Sequence, residues 1–368
     1  MTILVTGGTG FLGRHLIDQL LAKGEKDLRV LGRSRDEELV EMGVDFVEGS
    51  LLDKEALEQA VQGVTRVYHL AGRVERDRRK AHLMYSLHVD GSSLLYKALR
   101  ENGEEIEKVI VASTSGTVGV SKGSEVIATD QSPFAEQVVK DWPYYLSKIY
   151  AERVGQDFFK NHGLPIVHMR PTLLLGPGDW RESSTGDVVL FLKRKVPGVI
   201  EGGMSFVDVR DTAEAFLLAM EKASPGESYL LGAMNLTIRD FFEHLATITG
   251  LSAPRVPIPG ALLGLGSRLL GALSHMKDDI GDLDPVSLEM ARHYWYIDSS
   301  LAQQKLGWRP RDPFRTLRDT VEWIEENHSD FQGSPAKKRA LPQSEYLRTE
   351  TLEYAETLRK EWEATRKG

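Results

Sequence analysis

An eight-residue run, TGGTGFLG from Thr6 to Gly13, stands between a short apolar stretch that begins at Ile3 and an amphipathic one that begins at Arg14. Glycines at positions 7, 10 and 13 let a backbone turn sharply, approach a pyrophosphate closely and pack a helix on a strand. The helix that follows offers unpaired N–H groups and the positive end of its dipole to phosphate. Three glycines in a loop are common on their own. Directly after a first strand and opening a first helix, they point to a dinucleotide held by Gly7, Thr9, Gly10, Phe11, Leu12 and Gly13.

The rest of the first half agrees with that start. Apolar runs at Ile3, Leu28, Asp45 (DFVE), Val67, Val109 and Pro165 read as buried strands, and amphipathic stretches such as RHLIDQLLAKG and SSLLYKALRENG lie between them. Strands alternating with helices give an α/β fold: a Rossmann-type, doubly wound parallel sheet. The expected organisation has three parts. Residues 1–171, with parts of 204–232, form a dinucleotide-binding domain, because AEAFLLAME and YLLG still read as main-sheet elements. The remaining segments of 172–330 form a smaller, interleaved substrate domain, and 331–368 form a charged helical tail.

Composition narrows the function. With 46 Lys plus Arg against 54 Asp plus Glu, the net charge is −8, a poor match to nucleic acid. The absence of cysteine removes disulfides, thiolate metal sites and cysteine nucleophiles, and no His, Asp or Glu grouping has metal-ligand spacing. No stretch reaches the ~18 apolar residues of a spanning helix. The expectation is therefore a soluble, cytoplasmic chain of ordinary globular composition, without a resident metal.

Two further places carry chemistry. At the end of the second strand, where a carboxylate would hold the ribose 2′-hydroxyl of NAD, the chain has Gly32, Arg33, Ser34 and Arg35. Two guanidiniums suit a 2′-phosphate, so NADP(H) is expected over NAD(H), with Arg14 as a third cation. Asp36, Glu37 and Glu38 stand close enough to neutralise the group. In PYYLSKIYAERV, Tyr144 and Tyr145 precede Lys148 by four and three residues, so either phenol shares a helix face with the ammonium. An ammonium nearby lowers a phenol's pKa. STSGTVG, Ser113 to Gly119, puts hydroxyls at the carboxyl end of a central strand, where ligands sit in open α/β sheets.

TGGTGFLG, the VYHLAG after the fourth strand, STSGTVG, the Tyr144/Lys148 pair and RPTLLLGPGD from Arg170 occur in one order. Together they resemble the extended short-chain dehydrogenase/reductases, the NAD-dependent epimerase/dehydratase superfamily. FVDVRDTAEAF and YIDSSLAQQKLGWRP extend the likeness to nearly everything before the tail. PTLLLGP and SGTVG look most like the dihydroflavonol reductase and 3β-hydroxysteroid dehydrogenase branch. The resemblance implies Tyr144 as general acid/base, Lys148 as its pKa-lowering and ribose-binding partner, and Thr114 as the substrate-binding hydroxyl. It implies Ala71 and Gly72 beside the cofactor's middle and Pro171, Thr172 and Leu173 beside the nicotinamide carboxamide. Ser50, followed by Leu51, stands where relatives often place an adenine-binding Asp, and His88 stands in HVDG where an Asn is usual. A homodimer through the helices near 85–99 and at Tyr144 is also implied.

The expected activity is reduction of a ketone by NADPH, with Tyr144 as proton donor. A sugar-nucleotide epimerase or dehydratase with tightly bound NAD is the alternative, and a non-catalytic NADP-binding module a remote one. Dehydratases of the family place an acidic pair directly after the catalytic Thr, where this chain has Ser115 and Gly116. The apolar run GALLGLGSRLLGAL from Gly260, followed by Met276, Met290, Trp295 and Tyr296, suggests a hydrophobic, lipid-like or polycyclic substrate. Packing of the small domain and peripheral membrane contact are the other readings of that run. His69, His168 and Asp211 read as structural, and the basic run Arg73 to Lys80 as a solvated loop.

Overall fold

A computed structural model describes residues 2–75, 78–101, 105–258 and 285–331. The chain forms two compact units, residues 1–320 and 321–368. Both sheets lie in the first.

The larger sheet has seven strands: β1 (Thr2–Thr6), β2 (Leu28–Gly32), β3 (Asp45–Glu48), β4 (Val64–His69), β5 (Lys108–Ala112), β6 (Ile166–Pro171) and β9 (Ser228–Leu231). Their spatial order is β3-β2-β1-β4-β5-β6-β9, and every pairing is parallel. Each of the six expected apolar runs is a strand, and YLLG supplies the seventh. The inner runs are largely apolar because both faces are covered, whereas the edge strand β3, DFVE, leaves Asp45 and Glu48 exposed. Ile3 and Val5 face a core shared with Leu16, Ile17 and Phe216, while Leu4 faces one shared with Leu95, Tyr96 and Phe158. Helices Phe11–Ala22 and Val209–Lys222 therefore cover one side, and Ser92–Glu101 and Pro143–His162 the other. The order in which successive strands are added to the sheet reverses between β1 and β4, the point at which a crevice forms at the carboxyl ends of such sheets.

A smaller sheet joins β7 (Leu173–Leu175), β8 (Gly203–Asp208) and β10 (Met234–Thr237) in the order β10-β8-β7, antiparallel between β10 and β8. Residues 203–208 thus belong to the small sheet, whereas the helix that follows at Val209 packs on the large one. The segment after Pro285 returns to this region: Tyr294 bridges to Ser121 and Gly203, and Ile297 to Ala128. Asp211, expected to be structural, accepts the backbone N–H and guanidinium of Arg311 at 2.7–2.9 Å. The run from Gly260 to Leu273 and nearly all of the charged tail lie outside the described residues. Among the described residues no helix is long and apolar enough to cross a membrane.

Candidate active site

The glycine run turns between β1 and the helix Phe11–Ala22. Gly7 takes φ +75°, and a β-carbon on it would lie 2.7 Å from the backbone N of Ala71. One on Gly13 would lie 2.7 Å from the Gly8 Cα. Side chains at either place would close the cradle, so these residues fit a dinucleotide pyrophosphate. Gly10 caps the helix without a side chain, and the first-turn N–H groups of Phe11, Leu12 and Gly13 have no intrahelical carbonyl to reach.

At the end of β2 the three cations are not equivalent. Arg14 makes two 2.8 Å bonds to Asp36 and a second ion pair to Glu38, and Arg35 pairs with Glu37 at 3.2 Å. The acidic triplet therefore neutralises two of the three. Arg33 is exposed and has no carboxylate partner among the described residues. Ser50 accepts from the Leu52 N–H at 3.2 Å, which leaves its own hydroxyl proton free to donate, and Leu51 is buried behind it.

Four elements converge beyond the pyrophosphate turn. Lys148, one turn after Tyr144 in Pro143–His162, donates to the Ala112 carbonyl at the end of β5 at 2.9 Å. A β-carbon on Gly72 would lie 3.5 Å from the Lys148 Nζ and 3.4 Å from the His88 Nε2. Thr114 caps the short turn Ser115–Thr117, its hydroxyl accepting from the Gly116 N–H at 3.4 Å. Thr172, following β6, turns both its N–H and its hydroxyl to the Leu231 carbonyl, with Pro171 in the last position of β6 and Leu173 starting β7. Ala71 donates its N–H to the Thr6 hydroxyl at 3.3 Å.

The electrostatics differ from the sequence expectation in one respect. Tyr144 is not acidified; burial pushes its phenol up to about 12, and no ammonium offsets this. The cause is geometric. Lys148 is directed to Ala112, and the Tyr144 ring stands between the edges of His88, at 5.9 Å, and Tyr145, at 5.0 Å. Burial lowers Lys148 itself to about 8, with Glu152 opposing the shift.

Two features escaped the sequence. Glu152, two turns beyond Tyr144 and only 1% exposed, accepts from Ser113, from Thr117 at 3.1 Å and from Arg170 at 2.6 Å. Its position four residues after Lys148, on the helix's inner face, was the available signal. Arg170 holds the Glu152 carboxyl below its usual range despite burial. The second is an aromatic wall. Tyr145 lies 4.9 Å from Trp295, and Trp295 stacks on Trp142 at 5.6 Å. The Tyr145 ring fills the space a side chain at Gly116 would need, and the Trp295 ring would lie 2.9 Å from such a β-carbon.

A family model for the NAD dependent epimerase/dehydratase family matches residues 3–232. The chain is 31% identical to a Synechocystis protein described as "putative dihydroflavonol 4-reductase", over 88% of this chain and 94% of that one. It is 29% identical to sterol demethylase protein B of Methylococcus capsulatus, over 89% and 99%. Among solved structures it superposes on gox2253 with a TM-score of 0.76 and 28% identity, covering 89% of this chain and 98% of that one. Glycine cradle, strand order and these likenesses together lead to one conclusion: the chain belongs to the NAD-dependent epimerase/dehydratase family of extended short-chain dehydrogenase/reductases, and is an NAD(P)-dependent enzyme acting on carbinol or ketone carbon.

Proposed function

We propose that the enzyme is a carbonyl reductase that uses NADPH on an apolar ketone, with Tyr144 as the proton donor. The observation that carries this reading is the filled space at Gly116. A dehydratase of this family needs a carboxylate there to move a second proton. Here the residue has no side chain, and the Tyr145 and Trp295 rings take up the room one would need.

A bound reduced nicotinamide supplies a hydride, and the chain's residues do the rest. Tyr144, held as a neutral phenol up to about pH 12, keeps its proton at neutral pH and can give it to a developing alkoxide. The half-buried Thr114 hydroxyl accepts from the Gly116 N–H, so its own proton can meet the carbonyl oxygen and orient it. Lys148 brings positive charge beside Gly72, where the ribose would lie. Arg33 is the cation left to meet a 2′-phosphate, which supports NADP(H). The Tyr145 and Trp295 rings, backed by the buried Trp142, put apolar surface beside Gly116, which supports a hydrocarbon or polycyclic skeleton. The substrate side built from segments of 172–330, and a homodimer through the helices near 85–99 and 143–162, belong to the same proposal.

The test is incubation of the purified protein with NADPH and a panel of apolar ketones, following absorbance of the reduced nicotinamide. Net, ketone-dependent oxidation is the expected result. Conversion of a nucleotide sugar without net cofactor change would overturn it.

A further inference from the structure

Two short hydrogen-bonded chains lie beneath the candidate site, one through the His88 ring and one through His69, and they meet at residue His88. The Arg73 backbone N–H can only donate, so at 3.0 Å it fixes the His88 Nε2 as an acceptor. The single proton of a neutral His88 is then on Nδ1, which donates to the Ser147 hydroxyl at 2.8 Å. Ser147 in turn donates to the Tyr144 carbonyl at 2.7 Å. Ser92 gives its proton to the His88 carbonyl at 2.6 Å, so it accepts from His69 Nε2 at 2.9 Å. His69 Nδ1 therefore accepts from the Thr6 hydroxyl at 2.7 Å, and Thr6 accepts from Ala71 N–H at 3.3 Å.

Two neutral imidazoles with opposite tautomers thus join the start of the glycine turn, the loop 71–73 and the helix bearing Tyr144. Burial lowers both histidines, His69 to about 3 and His88 well below its usual value, so both remain neutral. His88 sits in a wide π turn, Ser86–Gly91, a rare helix irregularity frequently found at functional sites. Its ring is edge-on to Tyr144, and its Nε2 lies against Gly72.

We propose that His88 is a positioning residue that clamps the cofactor-side loop at Arg73 to the helix carrying Tyr144, so that one side chain sets the distance between cofactor and proton donor. The imidazole does this with two nitrogens facing opposite ways. The shorter amide of Asn can reach Ser147 from the Nδ1 position, whereas the longer amide of Gln can reach Arg73 from the Nε2 position. Each replacement keeps one half of the clamp.

This inference rests on Tyr144 being the proton donor, and its test keeps the two claims apart. NADPH affinity, read by fluorescence titration without substrate, and kcat for a ketone are measured for His88→Leu, His88→Asn, His88→Gln and Ser147→Ala. Thermal unfolding identifies the variants that are folded. His88→Leu is expected to lose about tenfold or more in both quantities, the scale of a missing buried hydrogen bond. His88→Gln should recover affinity but not kcat, and His88→Asn kcat but not affinity. Ser147→Ala, which leaves the ring packing intact, should lower kcat alone. The proposal is overturned if Asn and Gln behave alike, if His88→Leu is neutral, or if Ser147→Ala changes only affinity. If the wild type binds NADPH yet reduces no carbonyl, the reductase reading fails, while the affinity difference between Gln and Asn still decides the clamp at Arg73.

Discussion

A phenol that burial raises to about 12 keeps its proton at neutral pH, which is the protonation state the proposed donor role of Tyr144 requires. The group that titrates closer to neutrality is Lys148, lowered from 10.5 to about 8 by burial. Its ammonium exists below about 8 and is lost as pH rises through that value. The ratio kcat/KM for NADPH, which reports the free enzyme, should therefore fall above about pH 8, and Lys148→Met should be low throughout with no such limb. A wild-type profile flat across that region would contradict the assignment. Arg33 gives a second test. Arg33→Ser should weaken NADPH roughly 10- to 100-fold, the scale of lost charge-assisted hydrogen bonds, and leave NADH nearly unchanged. Arg35→Ser should do much less, because Glu37 already holds that guanidinium. Equal weakening of both coenzymes, measured by titration, would remove the case for a 2′-phosphate site.

At the scale of elements, the helix Pro143–His162 does most of the positioning. It starts with Pro at its first position, buries Ser147, Lys148 and Glu152 on one face, and thereby ties Tyr144 to β5 and β6. Glu152 and Arg170 form a buried pair with extra hydroxyl donors, the arrangement in which removal of one partner is costly. Glu152→Ala should lose about 3–5 kcal/mol in urea unfolding, since it strands the Arg170 guanidinium. A loss under about 1 kcal/mol would place the pair among ordinary surface bridges. The central strands were legible in the sequence because burial on both faces leaves a short apolar core, as in the ILV of TILVT and the VIVA of KVIVA. The Glu152–Arg170 pair was not, because helix packing on a strand brings its members together and neither residue signals the other locally. Trp295 was visible only as an aromatic in an apolar region. Its place against Gly116 depends on the return of 294–297 to the small sheet. The acidified phenol was a spacing argument that the direction of the Lys148 side chain reversed.

For the whole molecule, membership of the family establishes an NAD(P)-dependent enzyme, while the seven-stranded sheet and glycine cradle leave its reaction open, because one scaffold serves reductases, epimerases and dehydratases. The choice among these rests on few atoms: a glycine where a carboxylate would be, a neutral phenol, and an apolar wall assembled from distant parts of the chain. The most direct test is a comparison of Tyr144→Phe and Tyr145→Phe with the wild type, reading ketone-dependent NADPH oxidation under saturating coenzyme with coenzyme affinity measured in parallel. Loss of the phenol that gives the proton should cut turnover about 10²- to 10⁴-fold in Tyr144→Phe, with NADPH still bound and Tyr145→Phe still active. Equal loss in the two variants, or loss only in Tyr145→Phe, would contradict the assignment.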